Sequence, residues 1–325
     1  MHISVYGAGS WGTALAIVLA RQGRPVTLWA RQAQYAHLMQ SQRENHARLP
    51  GFPLPEAVSV IADFEAAAQA DWHIIATPMS ALRETARRLS GYQPQRVLWL
   101  CKGLEADSES LPHQVLQQVL PGVTCGALSG PSFAQEAAQG LPFALVCASE
   151  NVAFARHAAE TLHGGNMRVY SSGDVVGVEI AGAVKNVMAI ATGIADGLKL
   201  GMNARAALIT RGLAEMTRLG LALGARAETF MGLAGVGDLL LTCTGDLSRN
   251  RRVGLALARG EVLADITARL GAVAEGVKSA PSIDQLARRS GVEMPITRAV
   301  CAVLFERLPA QEALQQLLSR QVRSE

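Results

Sequence analysis

Paired cysteines are missing from this chain. Its five, Cys101, Cys125, Cys147, Cys243 and Cys301, are scattered without a Cys-x-x-Cys spacing. That pattern argues against a disulfide framework and for buried thiols in a reducing compartment. The seven histidines form no metal-spaced cluster, so no metal site is expected. Charge of one sign is scarce as well. A net charge of +3 over 325 residues is too small for a general nucleic-acid binder, although a local basic cluster can still hold a small anion. The N-terminus shows no basic segment leading into a hydrophobic stretch and cleavage site, and charged or polar residues interrupt every long apolar run. Neither a leader nor a membrane insertion is expected, and the reading is a soluble, cytoplasmic protein.

What is present points to folded domains. Hydrophobic residues make up 49% of the chain and charged residues 18%, a balance that builds a core rather than disorder. The length suits two domains. Short β-rich runs occur at His2–Tyr6, Val26–Trp29, Val58–Ile61, His73–Ala76, Val97–Leu100, Cys125–Leu128, Phe143–Cys147 and Arg168–Tyr170. Stretches of helical period lie between them, such as Thr13–Gln22, Met79–Leu89 and Val152–Leu162. Alternation of this kind predicts βαβ units and a mostly parallel, doubly wound sheet of the Rossmann type. Beyond about Ser171 the strand signal fades into Ala, Leu, Arg and Gly, beginning with one long helix over Asp174–Leu198. The expected class is therefore α/β, with a dinucleotide-binding domain over 1–172 and an all-helical substrate-binding domain over 173–325. Pro50-Gly51-Phe52-Pro53-Leu54-Pro55 reads as a rigid surface loop.

Gly7-Ala8-Gly9-Ser10-Trp11-Gly12 sits between an apolar strand and an apolar helix, the context a dinucleotide turn requires. Gly7 permits the tight turn, Gly9 lets a pyrophosphate approach the backbone, and Gly12 lets helix and strand pack closely. The helix N-terminus then offers N–H groups and its dipole to the phosphates. At the end of the second strand, Trp29-Ala30-Arg31 stands where an NAD site usually has a carboxylate. Arg31 can pair with a 2′-phosphate, which favours NADP(H), with NAD(H) as the second option. The other reading of Arg31 is a solvated guanidinium stacked on adenine.

Hydride transfer also needs a group that exchanges the hydroxyl proton. None of the histidines lies in a pocket-like segment, but Lys185 is set among Gly182, Ala183, Val184, Val187 and Met188. Such surroundings disfavour the charged form and lower a lysine pKa toward the working range. A snorkelling lysine at a packing interface fits the spacing equally well. Asp238, between a glycine pair and a Leu run, can steer Lys185 or accept a substrate hydroxyl, or simply cap a helix. Thr244-Gly245-Asp246-Leu247-Ser248-Arg249-Asn250-Arg251-Arg252, near a helix start, offers a hydroxyl, an amide and three guanidinium groups suited to a phosphate dianion; a solvated charged face is the other reading. The loops Cys101-Lys102-Gly103-Leu104-Glu105 and Ser129-Gly130-Pro131-Ser132-Phe133 follow strand ends, where open α/β sheets bind ligands.

Taken together, these segments resemble the bacterial NAD(P)-dependent glycerol-3-phosphate dehydrogenases over essentially the whole chain. The resemblance rests on the Gly7–Leu15 turn, Lys102–Glu105, Ser129–Ala134, Gly182–Asn186, Asn203–Gly212, and Gly237-Asp238-Leu239 through Ser248-Arg249-Asn250. It implies reversible reduction of dihydroxyacetone phosphate to sn-glycerol 3-phosphate, feeding phospholipid synthesis. It further implies Lys185 as proton donor and acceptor, and Lys102, Gly130, Ser132, Asp238, Ser248, Arg249 and Asn250 on the substrate. Ser10, Trp11, Arg31, Lys102, Ala134, Arg249, Val273 and Glu275 would contact the cofactor. Two rivals stay open: a related 2-keto or 3-hydroxy acid reductase, and a non-catalytic NADP-sensing module. The oligomeric state is open too, with a homodimer among the options.

Overall fold

A computed structural model describes residues 1–270 and 274–319. Contacts divide the chain into two compact units, Met1–Glu105 with Ser110–Val178, and Ala106–Glu109 with Glu179–Glu325. The division falls inside a long helix, six residues beyond Ser172.

In the first unit the strands are β1 (Ile3–Tyr6), β2 (Val26–Trp29), β3 (Glu44–Asn45), β4 (Leu49–Pro53) and β5 (Val58–Ile61). They continue as β6 (Trp72–Ile75), β7 (Arg96–Trp99), β8 (Thr124–Ser129), β9 (Phe143–Ala148) and β10 (Met167–Ser172). The helices between them are α1 (Ser10–Arg21), α2 (Ala33–Gln42), α3 (Phe64–Ala67), α4 (Leu82–Ser90), α5 (Pro112–Val119), α6 (Ala134–Gln139) and α7 (Val152–Leu162). Eight strands form one sheet in the order β10-β9-β8-β7-β6-β1-β2-β5. Every pair in it is parallel except β8 with β9. Strands such as β1, β2 and β6 are buried at every position, as central parallel strands covered on both faces must be. The first core joins Ile3, Val5, Leu28, Ile74 and Leu98 of the sheet to Leu15, Ile17 and Leu19 of α1. Helix α1 is buried without a break from Gly12 to Ala20, so it is a core helix rather than an amphipathic one.

One local expectation is corrected. The stretch around Pro50–Pro55 is not simply a loop, because Leu49–Pro53 forms β4 and pairs antiparallel with β3. A two-stranded ribbon is all edge, where the fixed φ of proline and its missing N–H are tolerated, and the buried Leu49 anchors it.

Among the described residues the second unit has helices and no strand. They are α8 (Val175–Gly197), α9 (Gly201–Ala222), α10 (Ala227–Phe230), α11 (Asp238–Thr244) and α12 (Arg249–Ala258), then α13 (Leu263–Leu270), α14 (Glu275–Arg289), α15 (Pro295–Phe305) and α16 (Ala310–Leu318). Glu179 and Lys185 interrupt α8 as expected, yet by length and composition the helix is still apolar enough to cross a membrane, contrary to the expectation that no run would be. In the fold 89% of its most apolar window is buried, which marks the core helix of a helical domain. Its backbone touches that of α12: a Cβ on Gly193 would overlap the Arg251 carbonyl, and one on Gly254 the Ile190 carbonyl. Such close approach fixes the register of the two helices.

Candidate active site

The dinucleotide turn is built as its glycines require. Gly7 has φ +120°, a conformation that suits glycine, and a Cβ there would lie 2.9 Å from the backbone of Ala76. A Cβ on Gly12 would collide with the Gly7 carbonyl, so the helix can approach the strand only without one. Gly9 differs. Its φ is −77° and a Cβ would meet no atom of the chain within 4 Å, so nothing internal demands glycine there. A ligand passing along the loop would. No side chain among the described residues caps α1, and no acidic residue stands in its first turn, which leaves its start suited to an anion. These features fit a dinucleotide pyrophosphate.

Around the turn, the Ser10 hydroxyl donates to the Arg48 carbonyl at 2.7 Å. The Trp11 indole meets Phe143 edge-on, with ring centroids 5.9 Å apart. Ala134 opens α6, which packs on α1. Arg31 follows β2 and is exposed. The loop after β7 carries the half-buried Lys102 and is held by Glu105, whose carboxylate accepts two bonds of 2.7 Å from Arg83. Arg83 lies outside every sequence motif. Gly130 has φ +141° and sits against the Ala144 carbonyl, while the Ser132 hydroxyl donates to the Gly130 carbonyl at 3.1 Å.

In the second unit Lys185 lies near the middle of α8 and is buried. Its Nζ donates to Asp238 Oδ1, forming a buried ion pair, and to Thr242 Oγ1 at 3.0 Å. The Thr242 hydroxyl in turn donates to the Asp238 carbonyl at 2.6 Å. Asp238 is the first residue of α11 and not its N-cap; Gly237 holds that position, at the end of a π-helical turn over Leu233–Gly237. Single π turns of this kind recur at functional sites. Burial pushes the neighbouring Cys243 thiol up to about 12, which keeps it protonated.

The residue beside Lys185 faces a different neighbour. Asn186 Oδ1 accepts from Asn250 Nδ2 at 2.8 Å, and Asn250 Oδ1 accepts from the Gly276 N–H at 3.0 Å. Asn250 thus links α8, α12 and the start of α14, where Glu275 stands half-buried. Ser248 is the N-cap of α12, accepting from the Arg251 N–H at 3.3 Å. Of the three guanidinium groups expected to face a phosphate, Arg251 is withdrawn: it is buried and bound to Asp196 at 2.7 Å and Asp246 at 2.8 Å. Asp196 also holds Arg205 at 2.7 Å. Arg249 is exposed at the start of the helix. Val273 lies outside the described residues. Thr242, Asp196 and Arg83 escape a reading by motif because each acts on a partner distant in sequence.

Comparison with known proteins gives these arrangements a family. Residues 2–155 match the family model of the NAD-dependent glycerol-3-phosphate dehydrogenase N-terminus, and residues 174–315 that of its C-terminus. A glycerol-3-phosphate dehydrogenase (NAD(P)+) of Herminiimonas arsenicoxydans is 54% identical, covering 100% of this chain and 99% of its own. Its counterpart in Dechloromonas aromatica is 56% identical at the same coverage, 100% and 99%. The crystal structure of a glycerol-3-phosphate dehydrogenase from Coxiella burnetii superimposes with a TM-score of 0.94 at 44% identity, covering 98% of this chain and 99% of that one. A ketopantoate reductase family member from Ralstonia eutropha reaches a TM-score of 0.62 at 19% identity, over 97% of this chain and 100% of its own, which shows a shared fold alone. The chain belongs to the NAD(P)-dependent glycerol-3-phosphate dehydrogenase family.

Proposed function

We propose that this chain reversibly reduces dihydroxyacetone phosphate to sn-glycerol 3-phosphate in the cytoplasm, with NADPH preferred over NADH, and so feeds phospholipid synthesis. The observation that carries the reading is the buried Lys185–Asp238 pair on a helical unit of this family. The work is divided between a dinucleotide-binding domain over 1–172 and a substrate-binding domain over 173–325.

A bound nicotinamide supplies the hydride. The turn of Gly7, Gly9 and Gly12, with Ser10 and Trp11, holds the pyrophosphate, and Arg31 receives the 2′-phosphate. Ala134, Val273 and Glu275 complete the cofactor contacts, which Lys102 and Arg249 share with the substrate. Gly130, Ser132, Ser248 and Asn250 belong to the substrate side. Arg249, exposed at the start of α12, is the guanidinium for the phosphate, whereas Arg251 is buried against Asp196. Protonated Lys185 donates from Nζ to the carbonyl oxygen as negative charge develops there, and in the oxidative direction it takes the hydroxyl proton. Asp238 and Thr242 hold Nζ in one place, so that no barrier is spent on orienting it.

The loss of NADPH absorbance tests the reading. Turnover should be rapid with dihydroxyacetone phosphate and at least about a hundredfold slower, in kcat/KM, with dihydroxyacetone or with 2-keto acids, which lack the phosphate handle. A preference for a 2-keto acid would overturn it in favour of the acid reductase. Cofactor binding without any turnover would favour a sensor.

A further inference from the structure

The nucleotide turn is held by a residue that no motif contains. Asn45, the last residue of β3, has no solvent exposure, and its side-chain amide is saturated. Nδ2 donates to the Ala8 carbonyl at 3.1 Å and to Thr13 Oγ1 at 2.7 Å. Oδ1 accepts from the Arg48 N–H at 3.1 Å and from the Tyr35 hydroxyl. Those are two donors and two acceptor sites, all that an asparagine amide possesses. The Arg48 carbonyl accepts from Ser10, so the bonds close a ring through Asn45, Ala8, Ser10 and Arg48.

The consequence lies in the Ala8–Gly9 peptide. In a trans peptide the C=O and the following N–H point in opposite directions. Anchoring the Ala8 carbonyl on Asn45 therefore turns the Gly9 N–H to the opposite side. A flip of this peptide would exchange the two and present a carbonyl oxygen where an anion needs a donor. Glycine at position 9 offers little conformational resistance to such a flip. The Thr13 bond ties the same amide to the first turn of α1, whose N–H groups and dipole serve the pyrophosphate.

We propose that Asn45 is a positioning residue for the cofactor pyrophosphate, fixing the Ala8–Gly9 peptide in its anion-binding orientation. The proposal rests on the NAD(P) chemistry of the family and not on the identity of the reduced substrate. Asn45→Asp is the sharpest variant, because a carboxylate cannot donate to the Ala8 carbonyl and repels it. Dissociation constants should be measured for NADPH, for ADP-ribose 2′-phosphate, which carries the pyrophosphate, and for adenosine 2′-monophosphate, which does not.

The first two should weaken by about tenfold or more, the scale of one or two lost hydrogen bonds plus repulsion, with the third unchanged within about twofold. The apparent KM for NADPH should rise while kcat at saturation is kept. An equal loss for all three ligands, or an unchanged NADPH affinity, overturns the proposal. Tyr35→Phe removes only one of the four bonds and covers the case in which the Asn45 variant does not fold. It should raise the NADPH dissociation constant by about two- to threefold and spare adenosine 2′-monophosphate; an unchanged NADPH constant contradicts the proposal.

Discussion

Lys185 and Asp238 stand 53 residues apart in the chain and meet as an ion pair whose side chains are 8% and 1% exposed. A pair so dry is held by its geometry, because each charge would be expensive to bury alone. Asp238→Asn keeps the shape and removes the charge. The expected outcome is a kcat lower by about a hundredfold, together with a loss of about 3–5 kcal/mol of stability from the uncompensated ammonium. Steady-state turnover and urea unfolding read the two effects separately. A variant with undiminished kcat would show that Asp238 does not hold the proton donor.

Arg31 is exposed at the end of β2, where an NAD site would carry an acid. Arg31→Glu should lower kcat/KM for NADPH by about tenfold or more, since a guanidinium–phosphate pair is replaced by repulsion. The value for NADH should hold or rise. Equal losses with both cofactors would instead identify Arg31 as an adenine-stacking residue.

Glu215 on α9 accepts from the N–H groups of Ile296 and Thr297 at 2.6 and 3.2 Å, closing the start of α15. Burial outweighs these bonds and pushes its carboxyl up to about 7. The native state then holds the proton more tightly than the unfolded chain. Its contribution to stability is full at low pH and is lost as pH rises from the unfolded value near 4.5 through 7. Glu215→Gln should remove that slope, so the variant compares better with the parent at pH 8 than at pH 5, as measured by urea midpoints across about that range. A parent whose stability is flat over this window, or rises through it, would contradict the assignment.

Much of the fold is legible in the sequence. β2 coincides with its apolar run because a parallel strand buried on both faces announces itself by composition, and β5, an edge strand that buries Val58 and Val60 and exposes Ser59, shows through its β-branched residues. The long helix α8 shows through its many small and apolar residues, which only a few polar ones such as Glu179 and Lys185 interrupt. Side-chain partnerships were another matter. Arg249 and Arg251 look alike in a run of charges, and the sequence does not show that Asp196, 55 residues from Arg251, joins Asp246 in holding the second in a buried position. Asp238 after glycine reads as a helix cap until Lys185 is found against it. Asn45 carries no signal at all, since its partners at Ala8 and Thr13 precede it by 37 and 32 residues. Local pattern identifies elements, whereas long-range pairing decides which polar side chains remain available for chemistry.

The most direct measurement concerns Lys185 itself. Lys185→Met replaces the ammonium with an uncharged chain of similar length on the second unit, whereas the nucleotide turn is part of the first. With dihydroxyacetone phosphate, kcat should fall by about a thousandfold or more, the range of a lost general acid, while the dissociation constant for NADPH stays within about twofold. A folded Lys185→Met protein that turns over at near the parental rate would contradict the account.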